Sequence, residues 1–95
     1  MYAVVFSSTL KDSVGYDEAA DRMAELCERQ PGFVEIDAVR SETGAGITVC
    51  LWESLESIKA WRDNIEHRAT QEIGIQRWYS SYRLLICEIL ADRSM

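Results

Sequence analysis

Positive charge is in short supply in this chain. Lys and Arg number 10 against 16 Asp and Glu, a formal net charge of −6. That balance repels a phosphate backbone, so neither nucleic acid nor an anionic membrane is expected as a partner. Histidine occurs once, at position 67, and cysteine three times, at 27, 50 and 87, with no CxxC spacing. One imidazole without clustered thiols or carboxylates falls short of the four ligands of a closed metal site. The three cysteines each lie inside an apolar stretch. They read as buried structural thiols in a reducing cytoplasm, with a nucleophile or redox pair as the alternative. Long apolar runs are missing too. The stretch Met1-Tyr2-Ala3-Val4-Val5-Phe6 has no basic leader and is too short to span a membrane. Gly44 and Gly46 do not make a phosphate loop; they read as the turn of a hairpin.

What is present is an ordinary globular composition. The 95 residues are 47% hydrophobic and 27% charged, which fits one domain over 1–95, with a core of 1–90 and a loose tail at 91–95. Residues 2–7 alternate as a first strand, with Tyr2, Val4 and Phe6 on one face. Apolar residues at 16, 19, 20, 23, 26 and 27 predict an amphipathic helix over 16–29, stopped by Pro31-Gly32. A second strand follows over 33–40, with Val34, Ile36 and Ala38 on one face and Phe33, Glu35, Asp37 and Val39 on the other. A polar hairpin loop at 41–46 leads to a third strand at 47–52. Ser54 is placed to cap a helix through Ile58 and Trp61. Asn64 breaks that helix before a further piece that sets Ile65, Ala69 and Ile73 on one face.

The final strand, 78–90, is apolar on both sides: Tyr82, Leu84, Ile86 and Leu90 on one, Tyr79, Leu85, Cys87 and Ile89 on the other. This is the pattern of a strand covered twice. The order β-α-β-β-α-β is the ferredoxin-like α+β arrangement, an antiparallel sheet with helices on one face. Two or three short helices cover one face only. The other exposes roughly 400 Å², a size at which apolar patches signal association. A homodimer through the sheet face is therefore expected.

The stretch Val49-Cys50-Leu51-Trp52-Glu53-Ser54-Leu55-Glu56-Ser57-Ile58-Lys59-Ala60-Trp61-Arg62 resembles the antibiotic-biosynthesis-monooxygenase-type family of dimeric α/β-barrel proteins. Glu66-His67-Arg68-Ala69-Thr70-Gln71 and the Pro31-Gly32-Phe33 that opens the second strand extend the resemblance over nearly the whole chain. It implies a small homodimeric monooxygenase that oxidises an aromatic or quinol substrate with no metal or flavin of its own. Haem-degrading relatives and non-enzymatic ligand-binding dimers are also implied. The haem-degrading branch uses a Trp and a haem-ligating His, for which Trp61 and His67 would stand. It also uses an Asn on the first strand, where this chain has Ser7 and Ser8.

Several side chains are candidates for such a site. His67 has the one side chain with an ordinary pKa near neutrality, suited to removing a phenolic proton; otherwise it is a surface residue beside Glu66, Gln71 or Glu72. Trp52, Trp61 and Trp78 either fill the core or line a slot for a small, flat aromatic molecule, with Trp61 placed best of the three. Asn64 either caps a helix or hydrogen-bonds a substrate oxygen on which charge develops. Arg83 interrupts an apolar face. It is either paired with Glu35 or Asp37 on a neighbouring strand or serves as a polar handle at a pocket mouth. Tyr79 and Tyr82 have odd spacing, which puts them on opposite faces, so Tyr82 alone is taken as substrate-binding.

Overall fold

The computed structural model describes the backbone of residues 1–95 and every side chain except that of Ile65. Four strands and three helices follow one another: β1 (Tyr2–Leu10), α1 (Tyr16–Glu28), β2 (Phe33–Arg40), β3 (Ala45–Trp52), α2 (Leu55–Arg62), α3 (Ile65–Ile73) and β4 (Tyr79–Glu88). A π-helical turn, Gly74–Trp78, joins α3 to β4. The expected α+β order is therefore present, with Trp78 in this turn instead of the last strand. Local capping divides the helical stretch. Ser54 Oγ accepts the backbone N–H of Ser57 at 3.1 Å, and Asn64 Oδ1 accepts that of His67 at 3.1 Å. Each cap satisfies a donor that the first helical turn leaves without a partner.

The antiparallel sheet has the order β2-β3-β1-β4, as in ferredoxin-like folds. Pairing stacks side chains into rows. On the helix-facing side the rows are Phe33-Trp52-Tyr2-Glu88, Ile36-Cys50-Val4-Ile86, Ala38-Thr48-Phe6-Leu84 and Arg40-Gly46-Ser8-Tyr82. Two register shifts alter the simple alternation. Val34 is an extra residue opposite the Trp52/Leu51 step, so Phe33 turns to the same side as Ile36. Ser80 is an extra residue opposite the Thr9/Leu10 step, which brings Tyr79 round to the side of Tyr82. Both outcomes correct the face assignments drawn from period two.

The strand order also separates Arg83 from Glu35 and Asp37. They stand on opposite edges of the sheet, with two strands between them, so the expected ion pair does not form. Cys27, Cys50, Trp52 and Ile58 make the buried cluster, with Phe33, Ile36, Tyr2, Val4 and Trp61 packed against it. This core sits at the Trp52 end of the sheet. Cys87 departs from the expected burial, since it lies on the other face of β4 and is exposed.

That other face carries Ala3, Val5, Val39, Ile47, Val49, Leu51 and Leu85, with no helix over it. Val39, Ile47 and Leu85 are exposed there. On β4 the helix-facing Tyr82, Leu84 and Ile86 are exposed as well, so within the protomer this strand is covered on neither side. The inward side of α3 is also not the apolar one expected. Ala69 and Ile73 are exposed, while His67, Thr70 and Gln71 point to the sheet; the side chain of Ile65 lies outside the described residues. A polar inner face is tolerated because it borders an open space and not a packed core.

Candidate functional site

Between the helices and the sheet lies a cavity of about 550 Å³, within the range of small-molecule sites. Its floor is the middle two helix-facing rows, with Val4 and Phe6 at the centre, and its roof is the inner side of α1, α2 and α3. It extends from the Trp52 row to the Arg40 row. Those rows are six residues apart along β1, roughly 20 Å at the rise of a strand.

At the Trp52 end the expected residues come together. Trp52 is fully buried, and its ring centroid lies 6.3 Å from that of Trp61. The His67 imidazole stacks on Trp61 with centroids 4.1 Å apart and planes 14° from parallel. Its Nδ1 lies 3.0 Å from the backbone carbonyl oxygen of Trp61. A carbonyl only accepts, so Nδ1 carries the hydrogen and Nε2 is left as a lone-pair base. Burial pushes the His67 pKa below its ordinary 6.5, and the Trp61 carbonyl only partly opposes this. The neutral imidazole is therefore the form present at neutral pH. An α1–α3 ion pair, Arg22 Nε to Glu66 Oε1 at 2.8 Å, ties two roof helices together from outside.

Asn64 does not line the cavity; its carbonyl oxygen is engaged in capping α3. Arg83 lies on the open face of the sheet, behind the floor. Tyr82 does line the cavity, stacked at 5.7 Å on Phe6.

Although it counted Trp78 among the aromatics that could line a slot, sequence reasoning did not assemble the other end. Tyr16, Trp78 and Tyr79 line it, with Tyr16 edge-on to Trp78 at 5.5 Å and 6.2 Å from Tyr79. Trp78 is held by its indole N–H, which donates to the Val14 carbonyl at 2.8 Å. Gly74 makes this packing possible, because a Cβ there would stand 2.6 Å from the Tyr79 ring. Behind Tyr16 lies Arg40, whose Cζ is 4.8 Å from the ring centroid. One signal was legible: Arg40 continues the alternation of Ile36 and Ala38 and so falls on an inward face.

Cys27 of α1 and Cys50 of β3 also line the cavity, with sulfurs 3.6 Å apart. The hydrogen bond between the two thiols, in which either sulfur can donate, raises the pKa of Cys27 and lowers that of Cys50. Among the described residues, no group of three or more His, Cys, Asp or Glu is arranged to hold a metal ion. No helix among them is long and apolar enough to cross a membrane.

Comparison with known proteins gives consistent results. The model of the family described as antibiotic biosynthesis monooxygenase matches residues 1–73. The uncharacterized protein YqjZ of Bacillus subtilis (strain 168) is 43% identical over 93 residues, covering 97% of this chain and 82% of YqjZ. Among solved structures, SnoaB of Streptomyces nogalater, a cofactor-independent oxygenase, superposes with a TM-score of 0.79 at 14% identity, covering 99% of this chain and 95% of SnoaB. Rv0793 of Mycobacterium tuberculosis superposes with a TM-score of 0.85 at 12% identity, covering 98% of each chain. At such identities the two structural likenesses speak for the fold alone.

Proposed function

The chain belongs to the antibiotic biosynthesis monooxygenase family, and we propose that it is a homodimeric, cofactor-independent oxygenase of a polycyclic aromatic substrate. The observation that carries this reading is His67. It is a neutral imidazole held flat on Trp61, with Nδ1 engaged and Nε2 unengaged, at the wall of an apolar cavity. An electron-rich phenolic ring slides between the helices and the Val4-Phe6 floor. Nε2 of His67 removes its acidic proton, and the negative charge spreads onto a ring carbon. That carbanion gives one electron to dioxygen. The radical pair then closes a carbon–oxygen bond to a peroxide. Where the carbon carries a second hydrogen, the O–O bond breaks and water leaves. The sum is a CH2 group plus O2 giving C=O plus H2O. His67 returns its proton to the departing hydroxide. Trp61 and Tyr82 hold the ring system by stacking and area burial, with Trp52 packed behind Trp61.

The dimer forms through the open face of the sheet. Val39, Ile47, Val49, Leu51, Val5 and Leu85 supply its apolar surface, and Leu90, 90% exposed just past β4, extends it. Three free thiols suit a reducing compartment, and we place the protein in the cytoplasm.

Oxygen uptake with a dihydroxyanthrone as substrate tests the activity. Catalysed uptake of one O2 per ketone formed is expected, with His67→Ala lowering the rate by about 10²–10⁴-fold. No acceleration over buffer sinks the oxygenase reading, and an unchanged His67→Ala rate removes that residue from it.

A further inference from the structure

Arg40 lies across β3 at Gly46, in the last helix-facing row. A Cβ at Gly46 would sit 2.6 Å from Arg40 Cζ, so the missing side chain makes room for the guanidinium. Nη1 donates to the carbonyl oxygens of Gly44 at 2.6 Å and Ser8 at 3.3 Å. Nη2 donates to Ser8 Oγ at 2.7 Å and to the Tyr16 hydroxyl oxygen at 3.0 Å. Among the described residues the ion pairs are Arg22 with Glu66 and Arg62 with Asp63, and Arg40 has none. A half-buried cation thus stands behind a cavity wall in a chain of net charge −6, with carbonyl and hydroxyl partners and no counter-anion.

The Tyr16 oxygen already accepts from Arg40, which leaves its own O–H to donate elsewhere. Tyr79 lies beside it, its hydroxyl kept protonated first by burial and then by Tyr16. Both rings line the cavity. A hydroxyl with a guanidinium behind it suits a negative oxygen, because charge-assisted hydrogen bonds are the stronger kind.

We propose that Tyr16, with Arg40 behind it and Tyr79 beside it, is a binding subsite for an acidic oxygen of the ligand, a carboxylate or phenolate. It stands at the end of the cavity remote from Trp52 and Trp61. This rests on the reading of the cavity as the ligand site and narrows its substrate class. The ligand is an elongated polycyclic aromatic with its reacting ring near His67 and an ionised group at the far end.

Quenching of tryptophan fluorescence tests this without turnover, since Trp52, Trp61 and Trp78 all line the cavity. The probes are an anthraquinone carboxylate and the carboxamide of the same shape. The carboxylate is expected to bind about tenfold more tightly, the size of one charged hydrogen bond. Tyr16→Phe, which keeps the ring against Trp78, is expected to cut that preference to about twofold or less. Arg40→Gln is expected to do the same, and circular dichroism checks its hairpin. Equal binding of the two probes overturns the subsite while leaving the cavity reading intact. A preference that survives Tyr16→Phe also overturns it. Binding of neither probe overturns both.

Discussion

Leu85→Asp is the substitution that most sharply tests assembly through the open sheet face. Leu85 pairs with Val5, which in turn pairs with Val49, so it lies in the middle of the apolar rows. It is 38% exposed in the protomer. Fully burying a leucine is worth about 1.5–3 kcal/mol, so the share left for a partner to cover is about 0.6–1.1 kcal/mol. A two-fold interface counts the change twice, about 1–2 kcal/mol in all. The larger effect is the carboxylate. An unpaired charge taken out of water costs several kcal/mol per ion, and two of them bring the total to about 7–8 kcal/mol. At 1.4 kcal/mol per tenfold, the dimer constant weakens by about 10⁵-fold. Sedimentation velocity at micromolar concentration is expected to show a dimer for the native chain and a monomer for the variant. Far-UV circular dichroism should be unchanged, because Leu85 points away from the helix-side core. A Leu85→Asp chain that sediments as the native dimer, or a native chain that is already monomeric, refutes the reasoning.

Three further outcomes follow from the same geometry. Because burial holds the His67 pKa below 6.5, kcat/KM for oxygen uptake should stay level through neutral pH and fall only below 6.5. Stability should decline over the same range, since the unfolded chain takes up its proton first; an activity limb above pH 7 contradicts both. Gly74→Ala places a methyl group against a Tyr79 ring hemmed in by Phe6, Tyr16 and Tyr82. A loss of about 1–3 kcal/mol in urea unfolding is expected, and native stability would show that the ring has room to move. In a Cys87→Ser background, diamide should join Cys27 to Cys50, given their 3.6 Å separation, with loss of two hydrogens by mass spectrometry. Two thiols that remain fully alkylatable after that treatment count against the pairing.

Features set by local rules were legible in the sequence. The bounds 33–40 of β2 are those expected, and the Ser54 and Asn64 caps fall where the residue types place them. Features that depend on register were not. The extra residues Val34 and Ser80 are invisible until the partner strand is known, yet they decide which way Phe33 and Tyr79 point. Arg83 was given partners that only a different strand order would supply. Gly46 was read as part of a turn. Its role as clearance for Arg40 exists only once β2 and β3 are aligned, and Gly44 alone keeps the positive φ of the turn, +92°. Trp52, Trp61, His67 and Tyr82 do meet at one cavity, because helix and strand periods place them on inward faces. Tyr16 was placed only on the apolar side of a helix and Trp78 only among the three tryptophans that could line a slot, because each lies at the start or end of an element, where periodicity says least.

The placement of ligand above Val4 and Phe6 is the claim from which the chemistry proceeds. A crystal structure grown with the anthraquinone carboxylate examines it directly. The rings should lie on that floor, one edge against Trp61 and His67 and the carboxylate toward Tyr16. A ligand found on the bare side of the sheet, with the space under α1 unfilled, would contradict the account.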